Sequence, residues 1–184
     1  RVAVFTCNAD GTLTFEQVYE TGVQPDMVTF TPDDSRILTA DEGEPREGYT
    51  DGAVDPAGTV TVITLADGTA VNVNFTAYDA EENRQQLVDA GIVLKKGAVP
   101  SADFEPEYIA AGNSTAYVSR QEANAVAVID LDSLQVTGVY SAGYEDYSRT
   151  AVDIDKKDEA YNPAVYESLR GIRMPDGAAL YSVD

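Results

Sequence analysis

Histidine is missing from all 184 residues, which excludes a Ser-His-Asp triad, a Cys-His pair and any imidazole-ligated zinc within them. Cysteine is nearly missing too. Cys7 stands alone, so no intrachain disulfide forms, and its place in "AVFTCN" continues a strand pattern that predicts a buried thiol rather than a nucleophile. Positive charge is scarce: 12 basic against 32 acidic residues give a net charge of −20, and only four of the basic residues are Lys. That field repels phosphate backbones and anionic lipid surfaces, so nucleic acid and membrane surfaces are excluded as partners while cations are favoured. The same excess of carboxylate also serves solubility in a secreted or salt-exposed protein. No run of 18 apolar residues occurs, so the segment inserts no helix into a membrane. No signal peptide is visible either, and any targeting segment has been removed or lies outside these residues.

What is present reads as a globular β protein. Hydrophobic residues make up 43% of the chain, Gly and Pro are ordinary in number, and the length is enough for a real core. Three runs align without gaps: "VAVFT" at 2–6, "VTVIT" at 60–64 and "VAVID" at 126–130. A second element recurs in "QPDMVTF" at 24–30, "EPEYIAA" at 105–111 and "MPDGAAL" at 174–180, where Pro and an acid precede an apolar run. The prolines stand 81 and 69 residues apart. Between them the order is four strands in meander sequence, about 38 residues from Pro106 onward, which is near the length of one propeller blade. The "VAVID" runs are apolar on both faces, as required when a sheet is covered on both sides by neighbours. A two-sheet sandwich would alternate more cleanly and would not recur at this spacing.

The predicted fold is therefore all-β: a partial β-propeller of about two and three quarter four-stranded antiparallel blades with one short helix in an insertion. Residues 1–21 end one blade, 25–79 form the next, 80–104 are a helical insertion, 105–143 form another blade, 144–170 are a second insertion and 175–184 start a further blade. Asp79, Glu82 and Gly91 have the spacing of an N-cap, a capping-box partner and a helix stop. The 144–170 insertion reads as a long loop or partial helix, and its tyrosines 140, 144, 147, 161 and 166 read as packing it onto the blades. So few blades do not close a ring, and the remaining blades of a longer parent chain are the expected covering for the open sides.

The stretches "QPDMVTFTPDDSRILTADEGEP", "DPAGTVTVI", "EPEYIA" and "AYVSRQEANAVAVID" resemble the choice-of-anchor I family of exported bacterial β-propellers, related to sequences labelled mesenchyme-specific cell surface glycoprotein. The resemblance spans nearly the whole chain. It implies a larger seven- or eight-bladed ring, an extracellular or cell-surface setting and an attachment signal outside these residues. Asp41 stands where the family usually has Asn before "EGEP", and "RTAVDIDKKDEAYN" only loosely follows the family's acidic segment. The bacterial setting implied by the resemblance leaves the glycosylation tripeptides at 74–76 and 113–115 idle.

Two acidic groups stand out as candidate sites. Glu42 and Glu44 end a second strand, while Glu105 and Glu107 enter a first strand in the next blade, so these acids fall on one rim together with Asp26 and Glu122. Such oxygen ligands suit Ca²⁺ or Mg²⁺, with Glu44 and Glu107 as candidate ligands. Asp153, Asp155 and Asp158 in "DIDKKD" suggest a second cation loop, although Lys157 and Asp158 stand where an EF-hand needs an oxygen ligand and Gly. Solvated turn carboxylates are the simpler account of both groups. The expected function is ligand binding or scaffolding for an extracellular ligand, and a metal-dependent phosphoester hydrolase is the alternative. No catalytic residue is assigned.

Overall fold

The structure is a computed structural model that describes residues 1–45, 48–50, 52–155 and 157–181. Strands β1 (Val2–Cys7) and β2 (Leu13–Tyr19) form an antiparallel pair. Strands β3 (Pro25–Phe30), β4 (Arg36–Asp41), β5 (Thr59–Thr64) and β6 (Thr69–Asn74) follow as one four-stranded sheet in that order. A second four-stranded meander contains β7 (Ile109–Ala111), β8 (Thr115–Arg120), β9 (Ala125–Asp130) and β10 (Gln135–Ser141). These are the expected blades, and β1–β2 supply the outer two strands of the blade before them.

Burial on both faces explains the apolar texture of the aligned runs. Ile37 and Ile63 pack with Tyr19, Val2 and Val4 of the half-blade, while Leu38, Ala40, Val60 and Val62 join Ala116, Val118, Ala125, Ala127 and Ile129 of the next blade in one core. The middle sheet is thus sandwiched, as radial stacking requires. The inner strands β3 and β4 touch β7, and the outer strand β6 touches β10. On one rim, Arg36 donates to the Asn113 carbonyl at 3.1 Å and pairs with Asp132 at 3.0 Å, tying the two blades together.

The hairpins between third and fourth strands repeat as well. Asp10, Asp67 and Asp130 each accept hydrogen bonds from the hydroxyl of Thr12, Thr69 or Ser133 two or three residues on. Gly11 and Gly68 take left-handed backbone there, and Leu134 takes it in the third copy at φ 54°.

The linkers that enter the three Pro-acid strands share a backbone signature. Gln24, Glu105 and Met174, each directly before its proline, have φ of 54°, 35° and 45°. Proline disfavours helical backbone in the residue before it, and a non-glycine residue pays strain in this region, so the bend is held by other contacts. Asp41, fully buried, accepts from the Gly22 amide and from the hydroxyls of Thr59 and Thr61 on one oxygen, and from Thr39 on the other. Arg120 occupies the same place one blade later, as the last residue of its second strand. It is fully buried, donates to the Phe104 carbonyl at 3.1 Å and lies 3.6 Å from the Phe75 ring centroid. Its Nε and one Nη have no hydrogen-bond partner, and burial pulls its pKa down to about 9. Asn124 clamps the third linker by accepting from the amides of Arg173 and Met174.

Several expectations change. Helix α1 (Glu81–Asp89) begins one residue later than predicted, with Ala80 at its N-cap. The Asp79 carboxylate is instead taken by the Ser101 amide and hydroxyl, both at 2.9 Å, which holds the first turn of a second short helix, α2 (Pro100–Asp103). Residues 144–170 contain no helix among the described residues. Their ends pair as a two-stranded ribbon, β11 (Tyr144–Asp146) with β12 (Arg170–Ile172), and Val152 bridges Ala164. Tyr144 packs this ribbon by donating to the Gly91 carbonyl at 3.0 Å, whereas Tyr140 and Tyr161 are exposed. Cys7 is exposed rather than buried, because it ends a strand on the uncovered side that also exposes Phe5, Leu13 and Phe15. Residues 175–181 form no strand, although Leu180 lies against Gly112 beside β7; residues 182–184 of that predicted strand fall outside the described residues. No helix among the described residues is long and apolar enough to cross a membrane.

Candidate functional site: an acidic rim

The stacking puts the end of each second strand beside the start of the next blade's first strand. Glu42 and Glu44 follow β4, and both accept hydrogen bonds from the Gln24 side chain, at 2.6 and 3.2 Å. Burial raises the Glu42 pKa above its ordinary value, the Gln24 bond opposes the rise, and the charges of Glu44, Asp26 and Glu105 add to it. Asp26 and Glu105 come from successive Pro-acid motifs, and the charges of both act on Glu42.

Glu107 carries the largest perturbation. Burial comes first, followed by its hydrogen bond to Glu122 and the charges of Glu122, Glu42 and Asp176, and together they push its carboxyl up to about 8. A carboxylate this close to another gives up its proton less readily, so the Glu107 carboxyl holds its proton more tightly than an ordinary glutamate. Asp176 belongs to the third Pro-acid motif. The charges of Glu42 and of Asp176 thus both act on Glu107, which links acids that follow Pro106 and Pro175.

Sequence reasoning missed the middle of this edge. Glu105 is almost fully buried and accepts hydrogen bonds from the Tyr49 hydroxyl and from the Lys95 ammonium, the latter at 2.7 Å. Lys95 also lies 3.2 Å from the Tyr49 hydroxyl, 4.3 Å from its ring centroid and 3.5 Å from Asp103. Burial opposes the charge on Lys95, but its bonds to Glu105 and Tyr49 and the neighbouring carboxylates outweigh that and hold its pKa above the ordinary lysine value. Burial and the bond to Glu105 push the Tyr49 phenol up to about 12. Burial also raises Asp55, whose Oδ1 has no hydrogen-bond partner among the described residues. Tyr49 and Asp55 come from the β4–β5 connection and Lys95 from the β6–β7 connection. Neither insertion carries a pattern that announces the meeting; the hint is a pair of lysines, Lys95 and Lys96, upstream of a dense acidic run.

The second predicted group is arranged differently. Asp153, Asp155 and Asp158 line one shallow concavity with Tyr161, and each spends an oxygen on its own loop. Asp153 accepts from the amides of Asp155 and Asn162, Asp155 from Lys157 and Asp158 from Ala160, at 2.8–3.2 Å. Among the described residues no group of three or more acidic side chains stands at metal-ligating spacing.

Compared with curated proteins, the chain matches none. Compared with protein families, it matches the model of the choice-of-anchor I domain over residues 1–184, in agreement with the stretches that carried the resemblance. A match along the entire chain, on blade-like sheets, shows that the chain belongs to the choice-of-anchor I domain family.

Proposed function

We propose that this chain is a segment of a cell-surface β-propeller that acts as a binding or scaffold module, with the acidic rim as its ligand-facing edge. What supports this reading is that Glu42 and Glu44 share the Gln24 side chain and lie within reach of the charges of Asp26 and Glu105, while the charges of Glu122, Glu42 and Asp176 act together on Glu107. Acids spaced along successive blades suit an extended cationic ligand, such as a basic segment of another protein, or several divalent cations such as Ca²⁺ or Mg²⁺. A net charge of −20 steers such a ligand toward the rim. The parent protein's further blades cover the exposed lateral faces of the half-blade in this reading.

The test is titration of the full-length protein with hexalysine and, separately, with CaCl₂, for the wild type and for a variant carrying Glu107→Gln and Glu122→Gln. Binding that weakens at least about tenfold in the double variant and falls steeply with added salt supports the rim. Binding unaffected by the two substitutions removes it.

A further inference from the structure

The rim is divided electrically. Around Glu107 its carboxylates face one another, whereas Glu105, Asp103 and Asp55 face an ammonium supplied by the chain itself. Lys95 is held there by contacts that would serve an external cation as well: a carboxylate at 2.7 Å, a second at 3.5 Å, a phenol oxygen at 3.2 Å and an aromatic face at 4.3 Å. The depths differ. Glu105 and Asp103 are each about 3% exposed, while the Lys95 side chain is 44% exposed and Tyr49 is 54% exposed. The carboxylates thus belong to the framework, and the ammonium and phenol lie over them on the solvent side. Both covering residues come from connections between strands, so they can lift without unpacking a sheet.

Lifting alone is unfavourable. It would leave the two nearly buried carboxylates of Glu105 and Asp103 without the ammonium that faces them. It becomes feasible when another cation takes the ammonium's place as it leaves.

We propose that Lys95, covered by Tyr49, is an autoinhibitory pin: a tethered cation that occupies the centre of the rim and is exchanged for the cationic groups of the ligand when the rim is engaged. This inference rests on the rim being the ligand-facing edge. It adds that binding is a cation exchange, with the free state held closed by the protein's own lysine.

The experiment compares wild type, Lys95→Gln, Lys95→Arg and Tyr49→Phe in the full-length protein, with hexalysine as the probe. Lys95→Gln is expected to bind it about tenfold more tightly than wild type, because one positive charge no longer competes and repels. Lys95→Arg keeps the charge and is expected to stay within about threefold of wild type, and Tyr49→Phe to gain about threefold. Hydrogen exchange in the wild type should quicken at residues 93–98 and 49–50 when hexalysine binds. Equal affinity in wild type and Lys95→Gln, with binding intact, overturns the pin and leaves the rim standing. No binding by any form overturns both. If Lys95→Gln does not fold, Tyr49→Phe and the exchange data decide: no gain in affinity and no quickening refute the pin.

Discussion

Replacing Glu107 by Gln should stabilise the protein above neutral pH and leave it unchanged in acid. Glu107 has a folded-state pKa near 8 against an ordinary value of 4.5. Below pH 4.5 the carboxyl is protonated whether the chain is folded or not, and its favourable contribution is fully present. As pH rises through 8 the folded protein must give up that proton against the charges of Glu122, Glu42 and Asp176, and the contribution is lost. At about 1.36 kcal/mol per pH unit the gap sets a ceiling near 5 kcal/mol. Glu107 keeps contact with water, which screens its neighbours and reduces the expected loss to about 1–2 kcal/mol. Glutamine preserves the shape and can still hydrogen-bond to Glu122, but has no proton to lose. Thermal melting of the full-length protein at pH 4.5 and pH 8.5 is the assay. The variant should melt with wild type at the lower pH and about 2–8 °C above it at the higher. A difference of equal size at both pH values, or a wild type that melts higher at pH 8.5, would refute the account of a strained carboxyl pair.

Other expectations follow from the linker clamps. Asp41→Ala should cost about 2–3 kcal/mol, because it takes the acceptor from the hydroxyls of Thr39, Thr59 and Thr61 and leaves the Gly22 amide only its bond to Thr61, whereas Asp41→Asn should stay within about 1 kcal/mol since the threonine hydroxyls can turn to suit an amide; melting temperatures of the two variants check this. Gly22→Ala should fail to give soluble folded protein, because its methyl would lie 2.1 Å from the Thr59 hydroxyl oxygen, and an expression and circular dichroism screen reads the outcome. Arg120→Met should raise the melting temperature, by the equivalent of about 1–2 kcal/mol. It removes a desolvated cation with two unpaired donor atoms at the loss of one hydrogen bond and a ring contact. A lower melting temperature would show that the guanidinium's stacking on Phe75 outweighs its burial.

The blades were legible because radial stacking imposes a local pattern. Val60 and Val62 face one neighbouring sheet while Ile63 faces the other, so both faces of the strand must be apolar, and that leaves a short run visible without any partner in view. The repeated Pro-acid entrances likewise pointed to one rim, and Asp176 was readable by the same rule as Asp26 and Glu107. The Lys95 knot was not legible, since it depends on two insertions meeting in space, and nothing in "VLKKGA" records the approach of Tyr49. The burial of Arg120 was not legible for a related reason: its environment is set by Phe75 and Phe104, which belong to the preceding connection and not to "TAYVSR". The β11–β12 ribbon pairs three residues with three across a long excursion, too few for alternation to show.

The clamps at Asp41 and Arg120 have a consequence for how such a protein can be rebuilt. Equivalent positions in neighbouring repeats hold opposite charges, one reading an amide and the other a carbonyl of the segment that leads into its own sheet. A repeat moved to its neighbour's position would set a carboxylate against two phenylalanine rings, or a guanidinium among threonines. The modules are alike in outline but keyed to their places, so their order around the axis is written into the polar residues hidden between them.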